Sequence, residues 1–437
     1  MTSLAAVVLL AHSALSADLD LILSSPALSG ATLGVCVTRM DGSIVYERDG
    51  MRTLVPASCQ KAFTVALCLD RLGSGYEPQT KIWKTDYGAF VDAPGDPGLT
   101  SAQLREIGGQ LALPKDSVIR VREAYRPGFG PGWEWDDLPF DYAAKVAAFS
   151  VDRCTFVVRA EAGKMLPLDP ALRVSARRGS TKGGVRVQYD PTRAALTISG
   201  ALPKSLTDIE ELAQPDPSAY AARLLGGKFE ASQDEPPART PDHVLQGAPI
   251  WALAKECAED SVNPLAEHFL FMGTGAATYP GATSAMRSFL VDEVRVSPGS
   301  VVPADGSGLS RRNRASARAL CRLFEWANES GKLSELEDAL AACGEGTLKT
   351  RLSGSSFVGK TGTMRGIVGL CGTLTTANGT KLAMAFLVNG SSGTASRVRV
   401  AQDEFVRALE ANVGGGGPLE GLVAVPGVGL AGYGRDD

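Results

Sequence analysis

The chain has 437 residues, 44% apolar and 21% charged, which is enough to bury a large core and excludes disorder as its main state. Its 44 basic and 48 acidic residues leave a net charge of -4, with no general pull toward phosphate backbones or anionic lipid, so nucleic acid is not an expected partner. Only three histidines occur, His12, His243 and His268, and no two have metal-ligand spacing on one helix face. A His-based metal site and a cofactor are therefore not expected, and a Ser-His-Asp hydrolase would be short of its imidazole base. The eight cysteines form no CxxC pair, and most sit in apolar stretches such as GVCVT and VALCL, as buried thiols do.

Leu4 to Leu10 form a short apolar run, and Ala14 and Ser16 are placed like the small residues before a signal-peptidase cut. No Lys or Arg precedes Arg39, so the charged start of an export signal is missing, and an ordinary first helix is the competing reading. The expectation is a signal-like segment over residues 1–17 and export to the periplasm or the extracellular envelope. No other stretch approaches the ~20 apolar residues of a membrane span, so no stable membrane anchor is expected.

Residues 32–47, TLGVCVTRMDGSIVYE, read as two strands around the tight turn Asp41-Gly42. In VPASCQKAFTVALCLDRLG, Pro56 and Ala57 precede a run apolar on nearly all sides, stopped by Gly73, which predicts a buried helix from near Ser58. From residue 76 to 240 the texture changes to Pro/Gly turns (DAPGDPG), a tryptophan segment (GPGWEWDDLPFDY) and alternating pieces (VRVQYD, AALTISG), which predicts an inserted strand-rich region. Helical patterns return in PIWALAKECAEDSVNPLAEHFLFMG and ASARALCRLFEWAN. Two strand-like runs around Asn378-Gly379, GIVGLCGTLTT and KLAMAFLVN, follow. The fold class is α+β: residues 18–75 and 241–412 form one domain around the insertion, and residues 413–437 form a flexible Gly-rich tail.

Three short motifs carry chemistry. Ser58-Cys59-Gln60-Lys61 is the one SxxK, and positions three apart share a helix face, so hydroxyl and ammonium can meet. A lysine takes a serine proton only in its neutral form, which apolar surroundings and a second nearby cation favour. Alone, the pair is better read as a capping serine and a snorkelling lysine. Ser261-Val262-Asn263, the one SxN, interrupts a helical pattern before Pro264. Its hydroxyl could relay a proton and its amide could orient Lys61, although alone it is a turn. Lys360-Thr361-Gly362-Thr363, the one KTG, precedes a strand-like run. A strand with Lys and Thr beside Gly can admit a peptide, bind its terminal carboxylate and donate a backbone N–H to an oxyanion. The three occur once each and in that order, 203 residues from Ser58 to Ser261 and 99 from Ser261 to Lys360. This trio marks serine β-lactamases and penicillin-binding proteins.

The sequence resembles the low-molecular-mass class C penicillin-binding proteins, the D-alanyl-D-alanine carboxypeptidase/endopeptidase family, from about Ala31 to Leu409. Further landmarks are Leu54-Val55-Pro56-Ala57-Ser58, Gly95-Asp96-Pro97, Gly130-Pro131-Gly132-Trp133, Asp136-Asp137-Leu138-Pro139, Leu265-Ala266-Glu267, Asp305-Gly306-Ser307-Gly308-Leu309-Ser310-Arg311 and Gly346-Thr347-Leu348. The resemblance implies a penicillin-recognising fold, a five-stranded antiparallel sheet flanked by helices, with extra domains inserted after the SxxK helix. It also implies acyl transfer from peptidoglycan stem peptides ending in D-Ala-D-Ala, inhibition by β-lactams and, in some members, cleavage of cross-links. Ser58 would be the nucleophile, Lys61 the general base, and Ser261 and Asn263 the relay and positioning pair. Lys360, Thr361 and Thr363, beside Gly362, would hold the carboxylate, and the N–H groups of Ser58 and Thr363 would face the oxyanion. Trp133, Asp136 and Met364 are candidates for the amine-bearing side chain of the stem peptide, with core packing of the insertion as the competing reading for Trp133. Val262 stands where Asp or Asn is usual, and Cys59 where a small polar residue is commoner. A β-lactamase or esterase of the same motif class, and a non-catalytic cell-wall-binding protein, are the alternative functions.

Overall fold

The computed structural model describes residues 15–177 and 184–411. The apolar run from Leu4, Ala14, His12 and the Gly-rich tail of residues 413–437 lie outside the described residues.

One antiparallel sheet organises the part of the chain that carries the three motifs. Its strands are β1 (Thr32–Arg39), β2 (Ile44–Arg48), β3 (Ala341–Ala342), β4 (Val358–Met364), β5 (Ile367–Thr375) and β6 (Lys381–Asn389), in the order β3-β4-β5-β6-β1-β2. That is one short edge strand more than the resemblance implies. The Asp41-Gly42 turn joins β1 to β2, and the turn holding Asn378-Gly379 joins β5 to β6. Gly42 and Gly379 both take positive φ, the conformation such turns demand.

Both faces of this sheet are covered, so its central strands are apolar throughout instead of alternating with polar residues. In β6, Leu382, Met384, Phe386 and Val388 face a core shared with the helix over residues 15–23 and with the last helix, Ala395–Glu410. The intervening Ala383, Ala385 and Leu387 face a second, helical core. The period-two alternation of a strand thus sorts one apolar run between two cores. The helical core is built by α1 (Gln60–Leu72), α2 (Ile250–Glu259), α3 (Asn263–Thr274) and α4 (Ala317–Glu329); the Ala395–Glu410 helix is α5. Ten of the 13 residues of α1 are buried, which makes it the central helix, and Gly73 at φ 80° ends it. Leu15, Leu19 and Leu23 of the first described helix are buried against the outer core.

Between α1 and α2 the chain builds a five-stranded mixed sheet from Gln79–Thr85, Gly88–Ala93, Val118–Glu123, Lys228–Ala231 and His243–Gln246, the last lying beyond residue 240. Helices Ser101–Leu111 and Pro217–Leu224 pack on it. Residues 155–213 add two three-stranded sheets around a core of Phe156, Val158, Leu172, Leu196, Ile198 and Leu212. A loop segment, residues 125–148, returns to the part that carries the motifs: the Tyr125 hydroxyl bonds His268 Nδ1 at 2.7 Å, and the Pro131 carbonyl accepts from Ser310 Oγ at 2.6 Å.

Candidate active site

The nucleophile candidate sits on a short turn, Ala57–Cys59, that leads into α1. Two devices fix the chain there. Asn389, at the end of β6, accepts from the Val55 N–H at 2.8 Å and donates to the Val55 carbonyl at 3.0 Å, as a paired strand would. Ala57 takes φ 48°, a left-handed conformation costly for a residue with a Cβ. Its carbonyl lies so close to Gly308 that a Cβ on that glycine would approach it to 1.9 Å. On the other side, Gly362 and Gly369 are directly opposed across the β4–β5 hairpin. A Cβ at Gly362 would meet the Pro56 carbonyl at 2.8 Å and the Ser58 nitrogen at 3.1 Å, and one at Gly369 would meet Cys59 Sγ at 2.8 Å. This glycine notch is the physical reason for the third letter of KTG: it lets the start of α1 sit on the sheet.

Lys61 follows one turn later and is fully buried. Its Nζ lies 3.2 Å from Ser58 Oγ, 2.6 Å from Asn263 Oδ1 and 2.9 Å from the Ser307 carbonyl. Burial, and after it the charge of Lys360, push the Lys61 ammonium down to about 7. In the neutral amine two N–H groups serve the Asn263 and Ser307 oxygens, which leaves the lone pair for the Ser58 hydroxyl. Lys360 is also fully buried, donates to the Thr361 carbonyl at 3.0 Å, and is pushed down to about 8 by burial.

Asn263 opens α3, with Pro264 in its first turn, and its amide donates to the Tyr142 carbonyl of the inserted segment at 2.9 Å. Ser261 holds φ 66°, the second left-handed residue with a side chain among the motif segments. The Asp305–Ser310 loop completes the wall. Glu267 on α3, buried, accepts the N–H groups of Gly306 (3.1 Å) and Ser307 (2.7 Å), and so aims the Ser307 carbonyl at Lys61. Burial, with Asp305 nearby, pushes the Glu267 carboxyl up to about 8. Asp305 accepts from the Gly308 and Ser310 N–H groups, Asn313 Nδ2 and the indole of Trp133 at 2.9 Å.

Ser58, Lys61, Asn263 and Lys360 therefore converge, with Thr361, Gly362 and Thr363 on the adjoining strand. Short β3 pairs only with Val358 and Gly359, so the β4 edge from Lys360 onward is unpaired. Trp133 spends its N–H on Asp305 instead of leaving it free, and Met364 closes the β4–β5 hairpin opposite Ile367. Asp136 is exposed and lines a cavity of about 360 Å³ with Trp135, Phe140 and Tyr189, facing the outer β-unit. Arg311 is paired with Glu134 at 2.8 Å, and Arg314 donates to the carbonyls of Arg311 and Asn313. Cys59 is fully buried, its thiol 3.5 Å from the Lys360 carbonyl, and all eight cysteines are free. Glu267, Asp305 and Gly308 are landmarks in the sequence without a role there, and Asn389 gives no sequence signal at all.

The chain is similar to several known proteins. A D-alanyl-D-alanine carboxypeptidase of an Actinomadura species is 27% identical, over 92% of this chain and 88% of its own. The D-alanyl-D-alanine carboxypeptidase DacB of Haemophilus influenzae is 24% identical, over 83% and 86%. The crystal structure of penicillin binding protein 4 (dacB) from Haemophilus influenzae superposes with a TM-score of 0.72 at 22% identity, covering 91% of this chain and 98% of that one. A second crystal structure of that protein holds a β-lactam. The fold is thus that of a penicillin-binding protein. Residues 15–411 match the model of the D-Ala-D-Ala carboxypeptidase 3 (S13) family, and the chain belongs to that family.

Proposed function

We propose that the D-Ala-D-Ala carboxypeptidase activity of this family runs, in this chain, through a Ser58 acyl-enzyme. The observation that carries the reading is the buried Lys61 amine, 3.2 Å from Ser58 Oγ and held by two other oxygens. Neutral Lys61 takes the Ser58 proton as Oγ attacks the carbonyl of the penultimate D-alanine. The N–H groups of Ser58 and Thr363 receive the oxyanion. The C–N bond then breaks, the proton passes to the leaving amine by way of Lys61 and Ser261, and D-alanine departs. Water, deprotonated in turn, attacks the ester and restores Ser58. Lys360, Thr361 and Thr363 hold the terminal carboxylate, and Trp133 and Met364 form the wall toward the rest of the stem peptide, from which Asp136, facing the outer β-unit, is set apart.

A β-lactam acylates the same serine but keeps its leaving amine tethered, so the ester persists. The β-lactam held by the related Haemophilus protein supports such compounds as ligands. Peptidoglycan as substrate supports a location in the cell envelope, periplasmic or extracellular; among the described residues no helix is long and apolar enough to cross a membrane.

The test is intact-mass measurement after incubation with benzylpenicillin, wild type beside Ser58→Ala. The wild type gains one penicillin and the variant none, and muropeptides ending in D-Ala-D-Ala yield free D-alanine. An unmodified wild type would favour a non-catalytic wall-binding protein. Acylation without D-alanine release would favour a β-lactamase or esterase.

A further inference from the structure

Beside the C-terminal half of β4 lies Arg399, a cation with no carboxylate partner among the described residues. Side chains alternate along the strand, so Lys360 and Gly362 face α1 while Thr361 and Thr363 face the opposite way, toward α5. From α5, Arg399 Nη2 donates to Thr363 Oγ1 at 3.0 Å. The natural partner of Arg399 on its own helix face is Asp403, four residues on. Asp403 is taken instead by Arg351, at 2.7 Å, and Arg351 also bonds the Arg399 carbonyl at 3.4 Å. Among the described residues Arg399 therefore has no carboxylate, although its guanidinium carries five donors.

A guanidinium with spare donors, beside a threonine hydroxyl and an unpaired strand edge, suits a planar anion held at two points. We propose that Arg399 is a further substrate-binding residue, which together with Thr363 holds the free carboxylate of the D-alanine that the reaction releases. This rests on the reading of the Ser58 cleft as the acylation site. By accepting a hydrogen bond from Arg399, Thr363 Oγ is left to donate its own hydrogen to the carboxylate, and the charge behind it strengthens that bond. Lys360 is a weaker candidate for a lasting positive charge here, because it is buried and one of its hydrogens goes to Thr361. The preference for a free C-terminal carboxylate thus comes from helix α5 as well as from the KTG strand.

The experiment compares two acylating probes, benzylpenicillin and its methyl ester, which lacks the carboxylate charge. Acylation is followed by intact mass for wild type, Arg399→Ala and Arg399→Lys. The wild type reacts faster with the acid. Arg399→Ala loses about 10–100-fold with the acid and little with the ester, the size expected when one charge-assisted pair is removed; Arg399→Lys recovers part of the loss. An N-acyl peptide ending in D-Ala-D-Ala and its C-terminal amide repeat the comparison, with the loss appearing mainly in KM. An equal fall on acid and ester, or no fall on the acid, overturns the proposal and leaves Ser58 acylation standing. A wild type acylated by neither probe overturns the active-site reading itself, and this proposal with it.

Discussion

The cleft and the outer β-unit of residues 155–213 are held together in opposite ways. Around Ser58 the polar contacts are mostly buried and join distant parts of the chain, as Lys61 does with Ser307 and Thr64 with the Gly306 carbonyl at 2.6 Å. In the outer unit they are more exposed: Asp190 bonds its neighbours Thr192 and Arg193, and the cross-strand pair Arg159–Asp208 has side chains 49% and 59% exposed. Buried bonds in a low-dielectric setting fix atoms because leaving one unmade is costly, whereas exposed pairs exchange with water at little cost. Positional accuracy is concentrated where the chemistry needs it.

The comparison can be broken most severely at Gly308. A Cβ there would stand 1.9 Å from the Ala57 carbonyl, at a φ of 84° that already disfavours side chains. Gly308→Ala should displace the Ser58 turn and lower penicillin acylation about 100-fold or more, as misplacement by about 1 Å does. A variant with wild-type acylation would show that this close approach does not position the serine.

A smaller effect sharpens it through pH. Because the Lys61 ammonium is pushed down to about 7, the neutral base is the minor form below that pH and the major form above it. The acylation rate of the wild type should climb about tenfold per unit up to about pH 7 and then level off. It should decline above about pH 8 as Lys360 loses its proton and its hold on the carboxylate. Stopped-flow acylation between pH 5 and 9 checks both limbs, and a rise centred near the ordinary lysine value would show that Lys61 is not the base. Smallest of all is Arg159→Ala in the outer unit, which should leave acylation unchanged and melting within experimental error.

The sequence makes the chemistry legible because its parts are contiguous. SxxK, SxN and KTG each lie within four residues, and the turns at Asp41-Gly42 and Asn378-Gly379 are local signals that the fold obeys. The helix expected from near Ser58 begins as the Ala57–Cys59 turn and continues from Gln60. What stays hidden is long-range: Asn389 meets Val55 across 334 residues, and Glu267 becomes the support of Ser307 only once α3 packs beneath that loop. No periodicity reports such meetings. The two helices of the insertion did leave signs, Thr100 with Gln103 as a reciprocal N-terminal cap, and Asp216 ahead of Pro217. They are short enough for the surrounding strand-like texture to mask them.

Asn263 touches both regions at once. Its oxygen holds the Lys61 amine and its nitrogen holds the Tyr142 backbone, so two bonds of a single amide separate the proton-transfer step from the inserted segment. The inserted segment is thus tied by one amide to the amine beside Ser58, without contributing a side chain to that contact.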